Sequence, residues 1–111
     1  MAGTLASLAL ALALAGAPTD KAPYDPRDDG PDKIDVSRYP PEQQARYPVF
    51  RQKCSKCHPV ARPVNSRFDA SEWKKYMKKM IRRPNSGINE DQARDVYEFL
   101  KYYSSQQAGR R

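Results

Sequence analysis

The stretch Pro48-Val49-Phe50-Arg51-Gln52-Lys53-Cys54-Ser55-Lys56-Cys57-His58 decides how the rest of the chain reads. Two cysteines three positions apart, followed at once by a histidine, form a C-x-x-C-H pattern of the kind that attaches a c-type haem. At the end of a helix each thiol can form a thioether with one of the two vinyl groups of a single porphyrin. The next residue then lies under the ring with an imidazole nitrogen aimed at the iron. Three other chemistries compete for these residues. A C-x-x-C redox pair expects a βαβ setting, which this sequence lacks. A zinc site needs four ligands, and Cys54, Cys57 and His58 are the only sulfur or imidazole donors of the motif, too crowded to surround a tetrahedral ion. A Cys54 to Cys57 disulfide closes too small a loop to stabilise much. The expected cofactor is therefore one covalent haem c held by Cys54 and Cys57, with His58 on the iron.

The size of the chain points the same way. With 111 residues and a mass of 12.7 kDa there is room for one small domain. A mean hydropathy of −0.91 and 30% charged residues describe a polar chain, not a membrane protein. Seven of the ten prolines fall between Pro18 and Pro48, which leaves about the last sixty residues to fold. A core of that size usually needs a disulfide, a metal or a bulky cofactor to hold it. Residues 20–47 carry seven acids and five bases, whereas residues 48–111 carry fifteen bases and six acids.

Working outward, residues 1–17 read as a signal peptide or apolar leader. Leu5 to Leu14 is an apolar run too short to span a bilayer, and Ala15-Gly16-Ala17 has the small-x-small form of a cleavage site, although no Lys or Arg precedes the run. Residues 18–47 read as a Pro/Asp-rich arm or linker, with Ile34, Val36 and Tyr39 able to lie along a domain surface. Residues 48–104 read as the haem domain and residues 105–111 as a basic tail. Within the domain a first helix is expected from Pro48 into the motif. A second starts at Asp69, capped with Glu72 three residues on, and stops at Pro84. Its apolar stripe is Trp73, Tyr76, Met77, Met80 and Ile81. A third follows Asn89, with Gln92 three residues on and Ala93, Val96, Tyr97 and Leu100 on one face, and ends near Ser104. No strand-like alternation of useful length occurs, so the fold class expected is all-α, three to four short helices wrapped around one haem.

His58 is the only histidine, so two histidines of one molecule cannot both ligate the iron. The sixth position falls to Met, Lys, solvent or nothing. A thioether favours ferrous iron and suits an electron carrier. Met77 and Met80 compete, and both also read as ordinary core residues. Met80 lies nearer the Pro84 turn, where the backbone can adjust, and is preferred. Phe50, Phe68, Trp73, Tyr97 and Phe99 read as core residues that wall the haem, and Arg62, Arg67 or Trp73 as partners for its propionates.

These residues resemble the monohaem c-type cytochromes of the class I fold, in which a helix leads into C-x-x-C-H and a C-terminal helix crosses the first. The resemblance covers about residues 48–104. CSKCHPVARPVN, the Trp73 to Met80 spacing, the P-N-S-G-I run and the closing EDQARDVYEFLKYYS are similar to small exported bacterial monohaem cytochromes. It implies Met80 as the sixth ligand and a proline carbonyl, for which Pro63 is the candidate, accepting the His58 ring N–H. The Pro/Asp arm and the very basic ligand helix depart from that pattern.

Lys74, Lys75, Lys78, Lys79, Arg82 and Arg83 place six cations in ten residues beside Met80. They form a solvated helix face or a docking surface for a redox partner with an acidic patch. Anionic lipid headgroups are an additional contact. Nucleic acid is not expected, because the aromatic residues are spent on the core. The function expected is one-electron transfer by an exported, periplasmic, monomeric carrier with no enzymatic activity, tethered to the membrane if the leader is uncleaved. The alternatives are an open-site haem protein for ligand binding or sensing, and a tethered electron-entry subunit of a larger complex.

Overall fold

The computed structural model describes residues 23–108. The leader expected at residues 1–17, the first residues of the arm and the last three of the basic tail lie outside them. Among the described residues the chain is all-helical, with no strand. A 3-10 turn at Pro26–Asp29 precedes four α-helices: α1 (Pro41–Cys54), α2 (Ala61–Val64), α3 (Ala70–Arg82) and α4 (Glu90–Ala108).

α3 and α4 start where side chains cap them. Asp69 accepts the Glu72 amide at 2.9 Å and Glu72 accepts the Asp69 amide at 3.1 Å, the reciprocal box expected at the head of α3. Asn89 and Gln92 make the same exchange before α4, at 2.8 and 3.1 Å. α1 differs from expectation, since it begins at Pro41, not Pro48, and carries Pro48 inside it. Pro41 occupies the first-turn position that suits proline. An interior proline deprives the helix of one hydrogen bond. Tertiary stacking keeps the turn helical: Tyr47 and Phe50 lie 5.3 and 5.2 Å from the Phe99 ring. α4 also runs beyond the expected stop near Ser104, through Ala108.

α4 packs against both α1 and α3. The core between them is Phe50, Trp73, Met77, Ala93, Val96, Phe99, Leu100 and Tyr103, with Val60 and Val64 from the short connection. Tyr103, absent from the expected face, is buried and donates its hydroxyl to the Val64 carbonyl at 2.7 Å, tying α4 to α2. Trp73 donates its indole N–H to Ser104 Oγ at 2.9 Å, and that hydroxyl donates to the Phe68 carbonyl at 2.8 Å. A buried indole of this size finds both an apolar bed and a partner for its polar edge.

The arm is not a loose spacer over its described part. Ile34, Val36 and Tyr39 pack on the core. Tyr39 meets Tyr102 edge to face at 4.8 Å, and the Ile34 amide donates to the Tyr47 hydroxyl at 2.9 Å. The 3-10 turn sits against α2.

Candidate functional site

α1 delivers Cys54 as its last residue, and the turn that follows carries Cys57 and His58. Cys54 is half-buried and Cys57 exposed, with no disulfide between them. Burial pushes the Cys54 thiol up to about 12. His58 is half-buried, and burial lowers its pKa, which favours the neutral imidazole that metals take as a ligand. Cys54, Cys57, His58 and Ile88 line one shallow depression with Met77 and Met80. It encloses only about 10 Å³ and opens to solvent. The motif, both candidate thioethers and the S-G-I loop thus meet at one place.

The two methionines differ. Met77 is only 4% exposed and belongs to the core between α3 and α4. Met80, one turn closer to the helix end, is half-buried and faces the depression. The Gly87 carbonyl accepts Lys53 Nζ at 3.0 Å, which fastens the loop after α3 to the end of α1. Gly87 has φ +68°, and a side chain there would run into Lys56.

Tyr76, which the sequence reading treated only as part of the stripe, reaches His58. Its hydroxyl lies 3.1 Å from His58 Nε2. The signal for it was a hydroxyl on an otherwise apolar stripe, which needs a polar partner when buried. Beyond His58 and Tyr76 lies a second depression of about 70 Å³ lined by Pro63, Phe68, Trp73, Arg62, Ser66 and Arg27.

The remaining candidates fall into place unequally. Pro63 is buried, and its carbonyl accepts the Ser66 amide at 3.2 Å, while His58 Nδ1 faces the Pro59 carbonyl at 3.4 Å. The N–H of Trp73 is committed to Ser104. Arg62 is clamped by Asp28, through Nε to Oδ1 at 3.0 Å and Nη2 to Oδ2 at 2.7 Å. Arg67 is exposed. Lys74, Lys75, Lys78, Lys79, Arg82 and Arg83 are all exposed, and none joins an ion pair among the described residues.

The chemistry of this set suits a porphyrin iron. Two thiols at the end of a helix, an adjacent neutral imidazole, a soft thioether across the depression and an apolar floor are the donors such a group takes. Among the described residues no three Cys, His or carboxylate groups gather closely enough to hold a metal ion by themselves. No family model, curated protein or solved structure matches the chain, and its site is therefore read from its own residues.

Proposed function

We propose that the chain is an exported c-type haem protein that carries single electrons between redox partners and turns over no substrate. The observation that supports this most is the meeting of Cys54, Cys57 and His58 with Met80 at one depression. The haem supplies a one-electron ferric–ferrous couple. Cys54 and Cys57 tether it through their sulfurs, His58 offers Nε2, and Tyr76 must release that nitrogen to the iron. Met80 offers the thioether from the facing helix, whereas Met77 stays in the core. Phe68 and Trp73 keep water from one side.

The exposed cations of α3 give the carrier a positive approach surface, which speeds encounter with an acidic partner and makes it salt-dependent. Export is proposed from the apolar run and small-residue site within residues 1–17. No helix among the described residues is long and apolar enough to cross a membrane.

The test is the visible and near-infrared spectrum of protein exported from cells with cytochrome c maturation machinery, reduced and oxidised. A covalent haem with the weak sulfur-to-iron band, lost in Met80→Ala and kept in Met77→Ala, is the expected result. A haem that lacks the band and binds carbon monoxide would transfer the assignment to an open-site ligand-binding protein. Absence of covalent haem would sink the proposal and leave Cys54 and Cys57 as a dithiol.

A further inference from the structure

The 3-10 turn and the residues around it, 25–31, lie across the chain segment that follows His58. Asp28 grips Arg62 with both carboxylate oxygens, at 3.0 and 2.7 Å. Asp25 stands 3.7 Å from the same guanidinium and also holds Arg27 at 2.6 and 3.0 Å. Arg27 reaches on to Ser66 Oγ at 2.7 Å. Asn65 Nδ2 donates to the Arg27 and Pro31 carbonyls at 2.9 and 3.0 Å. Gly30 approaches Asn65 so closely that a Cβ there would come within 2.5 Å of its amide nitrogen. Forked guanidinium–carboxylate pairs fix orientation as well as distance.

Two features give this strap a bearing on the site. Arg62, Asn65 and Ser66 belong to α2 and its C-terminal end, the segment that leaves His58. Arg27, from the strap itself, lines the same depression as His58 and Tyr76. Asp25 and Asp28 of the strap are both paired with arginines, Arg27 of the strap and Arg62 of α2, so the contact between strap and α2 is made of matched charges. The unpaired cations lie instead on the exposed face of α3 and at its end.

We propose that the strap is a wall of the redox site. It pins α2, keeps water from the His58 side and thereby sets the potential of the iron, and it leaves the Met80 side as the route for electrons. Asp28, Arg62 and Ser66 are in this sense positioning residues. The inference rests on the haem reading, and it assigns Arg62 to the strap and not to a haem propionate. Burial and hydrogen bonding around an axial imidazole tune a haem potential, so loosening this wall favours the ferric form.

The experiment uses the full haem-loaded chain and three variants: Asp28→Asn, Ser66→Ala and Arg62→Lys. Hydrogen exchange reads the strap amides, redox titration reads the potential, and the sulfur-to-iron band reads Met80. In Asp28→Asn, strap protection falls about tenfold, the reduction equilibrium moves about threefold toward ferric iron, and the Met80 band remains. Ser66→Ala, which leaves the Arg62–Asp28 pair in place, gives the same changes at smaller size and covers the case in which Asp28→Asn fails to fold. Arg62→Lys retains the charge but loses the fork, and falls between wild type and Asp28→Asn. Lost protection with an unchanged potential would overturn the proposal, because the strap would then be structural only. Unchanged protection in both Asp28→Asn and Ser66→Ala would overturn it as well. A wild-type chain without haem would remove the functional reading itself, an outcome separate from either of these.

Discussion

The two sides of the candidate site are built from opposite uses of charge. On the His58 side the charges that join the strap to α2 are matched: Asp25 and Asp28 face Arg27 and Arg62, with Ser66 as a further partner. On the outer face of α3 and at its end six cations stand in solvent without an ion pair among the described residues. Matched charges hold a chain segment in place. Unmatched charges of one sign do nothing for the fold and act on whatever approaches. A net charge of +7 would say only that the protein is basic; its distribution separates a closed side from an approachable one.

The strongest way to probe this contrast lies at the boundary between the core and the Met80 side. Met77→Ala should destabilise the domain by about 2–5 kcal/mol, as for other buried large-to-small changes, and leave the sulfur-to-iron band of the loaded protein intact. Met80→Ala should do the reverse, removing the band at a smaller cost in denaturant midpoint. If the two exchange behaviour, Met77 faces the iron and the boundary is misplaced.

A second test acts on the cationic side alone. The triple change Lys74→Glu, Lys75→Glu and Lys78→Glu should slow oxidation by ferricyanide about tenfold at low salt and leave the melting temperature nearly unchanged. Raising the ionic strength should bring the two proteins together, because exposed charges are screened. Equal rates at low salt would mean that electrons pass elsewhere.

Acid should open the closed side first. Arg27, through a side-chain hydrogen bond, holds the Asp25 carboxyl well below its ordinary value, and Arg62 does the same for Asp28. A depressed carboxyl stabilises the fold above its unfolded value, about pH 4, and that contribution is lost as pH falls through the folded one. Hydrogen-exchange protection of residues 25–30 should therefore hold at about pH 6 and drop toward about pH 2. The smallest effect is expected from Tyr24→Phe. Tyr24 is 76% exposed although its hydroxyl bonds Asp29 at 2.5 Å, so the melting temperature should not move.

What was legible in the sequence follows the same division. α3 and the start of α4 could be read directly, since a capping box and an i, i+3, i+4 stripe are local signals, and both caps form as expected. That Met77 and Met80 would lie near Cys54, Cys57 and His58 followed from the apolar stripe of α3 and the resemblance, and both line the depression with the motif. The strap was not, because Pro and Asp composition has no period and its order comes from partners 34 to 39 positions away. Nor was the fate of Arg62, whose partner Asp28 lay in what read as a spacer. The start of α1 was misplaced because two prolines each suit a first turn, and only the stacking of Tyr47 and Phe50 on Phe99 decides between them.

The hydrogen bond from Tyr103 to Val64 joins positions 39 residues apart. A ribosome adding about 5–20 residues per second takes about 2–8 s to cover that separation. Until α4 has been made, neither Phe50 nor Val64 has its final cover. The core over α1 and α2 is therefore closed by α4 some seconds after Phe50 has left the ribosome, so the first half of the domain waits on the second for its cover.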